Sequence, residues 1–232
     1  MNRFYEKAEW VAGEQGYDIL LDRRPVRTPA RALLTVPTAG FAAAIAAEWQ
    51  AQGKTIDPRS MPLTGLANAA IDQVAANLPL FVRQAAAYAE SDTLCYRADP
   101  GDPLAERQDR EWEPLLDWAE RRYDCAFLRV AGIIHRPQPV EMLARMHDEV
   151  SRLDCFVLAG LGVLASLGGS LVAALALIEK AFDPEAVWRA ILLEELWQEE
   201  QWGSDSEAIE KRTSRRAEFD AALNFCHLAA GS

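Results

Sequence analysis

Apolar and polar positions follow two rhythms along this chain. Over residues 1–37 they fall in short runs broken by turn residues; from Thr38 onward they recur at helical spacing. In the first stretch Trp10-Val11 precedes a glycine-containing turn at residues 13–16, and residues 17–22 predict a strand. A charged turn at Arg23-Arg24-Pro25 follows, Val26 to Thr28 pairs back, residues 29–31 turn again, and Leu33 to Val36 forms another short strand. Short strands with tight turns predict a small antiparallel sheet or partial barrel, which needs a partner layer to bury its inner face.

The helical part begins with Thr38 as a cap and closes its first helix at Gly53. Further helices are predicted over residues 63–77, from Pro79 to about Glu90, over 103–123 and over 140–153; residues 91–99 read as an irregular connection. Residues 155–178 carry no charge and are long enough to span a bilayer. Gly168-Gly169-Ser170 breaks that run, no aromatic belt or basic cluster flanks it, and Asp154 and Glu179 bracket it. The expectation is therefore two core helices, the second capped by Ser170, and no membrane insertion. A last helix is expected over residues 205–228. The fold class predicted is α+β: a β-rich N-terminal domain over residues 1–60, which includes the first helix, then an all-helical C-terminal domain over 61–232.

Between these lies the least ordinary stretch, Asp183 to Gly203. It predicts one long helix with Asp183 at the N-cap, Pro184 at the first position and Gly203 as the stop. On a helical wheel Val187, Trp188, Ile191 and Leu192 gather on one side, with Trp202 further along it. Glu195 and Glu199 interrupt that apolar arc, and Glu194 and Gln198 lie at its edge. From Asp183 to Glu210 nine acidic residues face one basic residue, Arg189. Two accounts stand: a solvated acidic face with an internal arginine partner, or a surface of carboxylates and tryptophans that docks a basic, partly apolar protein.

Half the 232 residues are apolar, so the chain can form a core, and its net charge of −11 argues against nucleic acid and anionic membrane as partners. Cys95, Cys125, Cys155 and Cys226 form no CxxC, and with only three histidines no zinc-ligand spacing appears. Reduced thiols in a cytoplasm-like compartment are expected, with no metal and no cofactor. The N-terminus shows no targeting signal. Nucleotide, hydrolase and zinc-protease motifs are missing, and His135 and His147 lack catalytic company in sequence. The chain is read as a non-enzyme; the alternative is a helical enzyme using the carboxylates of 194–200 for acid–base or metal chemistry. Five residues read as structural. Trp49 packs the β layer onto helices, Asn68 and Asp72 bridge neighbouring segments, and Asp92 and Arg97 form a polar junction in which Arg97 partners a buried carboxylate.

Several phrases together resemble the assembly chaperone of the α subunit of F1-ATP synthase, a family of mitochondria and some α-proteobacteria. They are RFYEKAEW, LLDRRPVRTPAR, EWQAQGKTIDPRSMPLTGLANAAID, SDTLCYRAD, Gln108 with WEPLLDWA, GGSLVAALAL and ELWQEEQWGSDSEA, spread over the whole chain. Arg23 departs from the pattern, which has glycine in the hairpin turn, and the tail after Gly203 lacks the histidine-containing run of mitochondrial members. The resemblance implies a nucleotide-independent chaperone that holds the free α subunit until it pairs with β, and a monomer is expected. It implies a bacterial, cytoplasmic form, or a mitochondrial matrix protein if a processed eukaryotic one. It also places the functional acidic position on Glu194, with Gln198, Trp202 and Gly203 completing the motif. A one-residue slip would give Glu195 instead, and the wheel makes Glu195 and Glu199 structural, so all three glutamates remain candidates.

Overall fold

In the computed structural model the described residues are 1–132 and 136–231; the loop histidine His135 lies outside them. Strands β1 (Ala8–Ala12), β2 (Tyr17–Leu21), β3 (Arg24–Pro25) and β4 (Thr35–Val36) form an antiparallel sheet, with β1 and β3 either side of β2 and β4 also paired to β2. The β1–β2 turn needs Gly16: its φ is +147°, and a Cβ there would sit 2.5 Å from the Val36 carbonyl oxygen. The pairing back starts two residues upstream of Val26, at β3, and continues through it, the Val26 N–H donating to the Ile19 carbonyl at 2.8 Å. Asp22 and Arg23 both take positive φ, so the chain reverses there and Arg24 already pairs with Leu21.

Helices α1 (Ala39–Gln50), α2 (Pro62–Ala69) and α3 (Leu78–Ala86) come next. Thr38 caps α1 as expected, its hydroxyl accepting from the Phe41 N–H. The predicted helix 63–77 stays coiled but changes pitch: after α2 it passes through a π turn at Ala70–Val74 and a 3-10 turn at Ala75–Asn77. α2 has no side-chain cap of its own. Glu48 of α1 supplies one, its carboxylate accepting from the Leu63 and Thr64 N–H groups at 2.7 and 2.8 Å and from the Thr64 hydroxyl at 2.7 Å.

Then follow β5 (Tyr96–Arg97), α4 (Pro103–Tyr123), β6 (Val130–Ala131), α5 (Val140–Ser151), α6 (Cys155–Gly168) and α7 (Leu171–Ile178). β5 and β6 pair in parallel, a two-residue ladder too short to leave a periodic signal, and the stretch 91–99 was expected to be irregular. α4 matches the sequence reading, starting at capping Asp102 and burying Gln108, Trp112, Leu115, Leu116, Ala119 and Tyr123 on one face. The uncharged run splits at Gly169, which has φ +61°, and Ser170 caps α7 through the Ala173 N–H. No helix among the described residues is long and apolar enough to cross a membrane.

The last elements are α8 (Pro184–Ile191), α9 (Leu193–Trp202) and α10 (Ser206–Ala230). The single helix expected over 183–203 is thus two. Its start stands, with Asp183 capping through the Ala186 N–H. The break at Leu192 coincides with a side-chain contact: the Ala190 carbonyl, which an uninterrupted helix would offer to the Glu194 N–H, accepts the Trp112 indole N–H at 2.7 Å. Trp112 is 1% exposed, so that donor has few other places to go.

By contacts the chain divides into two compact units: Met1–Phe81 with Asp154–Gly160 and Asp220–Ser232, and Val82–Leu153 with Leu161–Phe219. In the first, Tyr5, Leu21, Ile56 and Met61 form a cluster beneath Trp49, while Phe41 stacks edge-on against Phe156 and Phe225. In the second, the core includes Trp112, Leu116, Met142, Met146, Leu164, Trp188 and Phe219.

Candidate functional site

The acidic helix α9 lies between α4 and α10, and its carboxylates divide according to which neighbour they meet. Glu195 and Glu199, four apart, face α10. Arg215 donates to Glu195 at 2.8 Å and to the Leu167 carbonyl, and Arg212 donates to Glu199. Arg212 and Arg215 are themselves three apart, so two helical rows interlock as ion pairs. On the α4 side, Arg107 grips Glu200 with both terminal nitrogens, at 2.6 and 2.9 Å. That hydrogen bond is the chief reason the Glu200 carboxyl sits below its usual range. The same guanidinium lies 5.7 Å from the Trp197 ring centre.

Glu194 is treated differently. It is exposed, yet its carboxylate accepts from the Gln108 side-chain amide at 2.8 Å. Gln108 is fully buried and fixed from behind, since its amide oxygen accepts the Ala98 N–H at 2.7 Å. A neutral donor orients the carboxylate without cancelling its charge, and no arginine or lysine among the described residues pairs with it. Glu194, Gln198 and Trp202 then run at a spacing of four along the exposed side of α9, ending at exposed Gly203. Trp202 is 79% exposed; the wheel placed it on the buried side, and the break at Leu192 separates it from the apolar arc of α8. Ile209, 47% exposed, follows within the next turn of chain.

The structural residues also have their places. The Trp49 carbonyl accepts from the Tyr5 hydroxyl at 2.6 Å, and its ring meets Tyr5 edge-on. Asp72 bridges as expected, accepting from the Thr28 hydroxyl and the Ala30 N–H at 2.6 and 2.9 Å; Asn68 makes no such bridge, its amide oxygen being buried without a partner. Arg97 is buried and ion-paired, but its partners Asp109 and Glu113 are not buried carboxylates. Asp92 is the buried one, and it serves backbone N–H groups of Leu94 and Val172 instead. Burial pushes its carboxyl up to about 6 against the pull of those donors. Sequence reasoning did not pick out Arg107, Arg212 and Arg215 as partners, although their spacing opposite the glutamates of α9 is the signal that finds them. Gln108 was noted only as part of a phrase.

Three solved structures share this architecture. Atp12 of Paracoccus denitrificans superposes with a TM-score of 0.94 at 38% identity, over 98% of each chain. A lysine-for-aspartate mutant of the same Atp12p gives the same TM-score and identity over 98% of this chain and 97% of that one. The Atu1473 protein of Agrobacterium tumefaciens has TM-score 0.92 and 37% identity over 97% of this chain and 85% of its own. The profile of the ATP12 chaperone protein family matches residues 2–120. The small antiparallel sheet followed by a helical region is thus the fold of a class of chaperones. The chain belongs to the ATP12 chaperone family.

Proposed function

We propose that the chain is an ATP-independent assembly chaperone that binds the free α subunit of F1-ATP synthase and keeps it from aggregating until it pairs with β. The observation that carries this reading is the outward row of α9: an uncompensated, oriented Glu194 in line with Gln198 and a Trp202 that is 79% exposed. An exposed tryptophan rimmed by acid suits a partner whose uncovered surface is basic and apolar, as a subunit awaiting its neighbour would be. Glu195 and Glu199, occupied by Arg215 and Arg212, hold the platform on which that row stands. In a bacterial cell the encounter would take place in the cytoplasm, with the chaperone as a monomer.

The test is co-expression with the same organism's α subunit in the absence of β, followed by pull-down and a solubility assay. The α subunit becomes soluble and co-purifies. Glu194→Lys and Trp202→Ala each weaken capture about tenfold or more; Trp202→Ala leaves stability within about 0.5 kcal/mol, and Glu194→Lys costs about 1 kcal/mol by taking the acceptor from the Gln108 amide. An α subunit that stays insoluble and unbound beside folded chaperone refutes the reading; full capture by Glu194→Lys removes Glu194 from the site.

A further inference from the structure

The first unit carries a second charged surface, of opposite sign. Within the ribbon that runs from β2 through β3 toward β4, Arg23, Arg24, Arg27 and Arg31 are all exposed. Among the described residues none of their guanidinium groups forms an ion pair; the one hydrogen bond recorded for them is from Arg27 to the Arg31 carbonyl at 2.8 Å. Two acids tied to the ribbon, Asp22 within it and Asp72 bonded to it, are turned to other donors. Asp22 accepts the N–H groups of Glu6 and Lys7, and Asp72 accepts from Thr28 and Ala30. Those bonds pin both ends of the ribbon, so the arginines project from a fixed frame and binding would not have to order it.

Two of the four stand where an arginine is locally unfavourable. Arg23 has φ +66° as the second central residue of a mirror-image hairpin turn, and Arg31 has φ +71°. Glycine is the residue suited to both positions. A side chain held in the left-handed region against local preference, and left unpaired in a chain of net charge −11, marks a position with a use beyond folding.

We infer that this arginine ribbon docks an extended, acidic segment of a protein partner. Four separate guanidinium groups on two turns match several carboxylates spaced along a strand or loop. The length of the occupant decides between polyanions. A nucleic-acid duplex or an anionic bilayer reaches well past the ribbon and meets the remaining, net negative surface within about 8–10 Å, where charge is still felt at physiological salt. A short peptide meets the ribbon alone. This surface does not depend on the α9 row, so it stands or falls separately from the capture of an α subunit.

The probe is a fluorescein-labelled, end-capped octaglutamate peptide, with octaglutamine as the neutral control. It is titrated into the full chain by anisotropy at about 20 and about 150 mM salt, with amide chemical shifts mapping the contact. Octaglutamate binds at the lower salt, shifts residues 22–33 and is released by salt; octaglutamine does neither. The variant Arg23→Gly/Arg24→Ser/Arg27→Ser/Arg31→Gly binds at least about tenfold more weakly, with a melting midpoint at or above that of the parent. Should it fail to fold, Arg24→Gln/Arg27→Gln keeps both turns intact and weakens binding about threefold. Any of three results overturns the proposal: no octaglutamate binding by the parent, equal binding by the variants, or tighter binding through the same residues of a DNA duplex or phosphatidylserine vesicle.

Discussion

Arginine is used in two ways in this molecule. In the second unit Arg97, Arg107, Arg129, Arg212 and Arg215 are clamps, each holding one or more carboxylates in place. In the ribbon of the first unit Arg23, Arg24, Arg27 and Arg31 hold none among the described residues. The clamps answer a local need, because α9 and α4 bring together more negative charge than a helix face tolerates unaided. The ribbon answers no such need, and its charges point away from the protein's own chemistry. The lesson is that a count of charges says little until each one's partner is known: the chain is acidic overall, yet its uncompensated charges include a carboxylate on α9 and four cations on a hairpin.

The contrast is open to direct attack. The largest effect is expected at Arg97, whose side chain is 6% exposed, bonded to Asp109 and Glu113, and stacked 5.1 Å from the Trp112 ring centre. Arg97→Met should cost about 3 kcal/mol in urea unfolding, whereas Arg24→Ser should lie within about 0.5 kcal/mol of the parent. Comparable losses at the two sites would erase the distinction. Next is Asp92→Ala, expected to cost about 2 kcal/mol by stranding the N–H groups of Leu94 and Val172. Asp92 also sets a pH signature. The folded protein keeps its proton to about pH 6, while an unperturbed carboxyl releases near 3.8. The folded state therefore binds more protons between those values, and this group makes stability fall as pH rises through that window. Unfolding curves from pH 4 to 7 should show this slope in the parent and not in the variant.

A smaller effect tests the interlock of α9 and α10. A double-mutant cycle of Arg212→Leu and Glu199→Leu should return a coupling of about 1 kcal/mol, reduced at high salt. No coupling would mean that α9 is held by its apolar contacts alone. The smallest effect has the opposite sign. Arg23→Gly should raise stability by about 0.5 kcal/mol, since glycine takes a φ of +66° without a Cβ penalty. A loss of stability there would show that the arginine serves the fold, and the ribbon would join the clamps.

Much of this was legible along the chain. Caps announced their helices: Thr38, Ser170 and Asp183 each sit where a short polar side chain precedes a periodic run. The α+β layout followed from the change of rhythm at Thr38. What the sequence hid was contact between distant residues. Nothing in the run 183–203 reveals that Trp112 will take the Ala190 carbonyl, so the helix looked whole and Trp202 looked buried. Nor does Glu48 announce itself as the cap of a helix that begins at Pro62. The candidate site was found by its wording, while its division into held and free carboxylates needed the partners supplied by α4 and α10.

The interruption at Leu192 has one more consequence. Helices melt and form cooperatively because each hydrogen bond fixes the residues of the next. By lending the Ala190 carbonyl to an indole, the chain ends one cooperative run and begins another. Fraying that starts at Gly203 can travel back through α9 and stop there, leaving Val187 and Trp188 in the core. The exposed row is thereby mounted on a helix of its own, separate from the one that carries Val187 and Trp188 into the core.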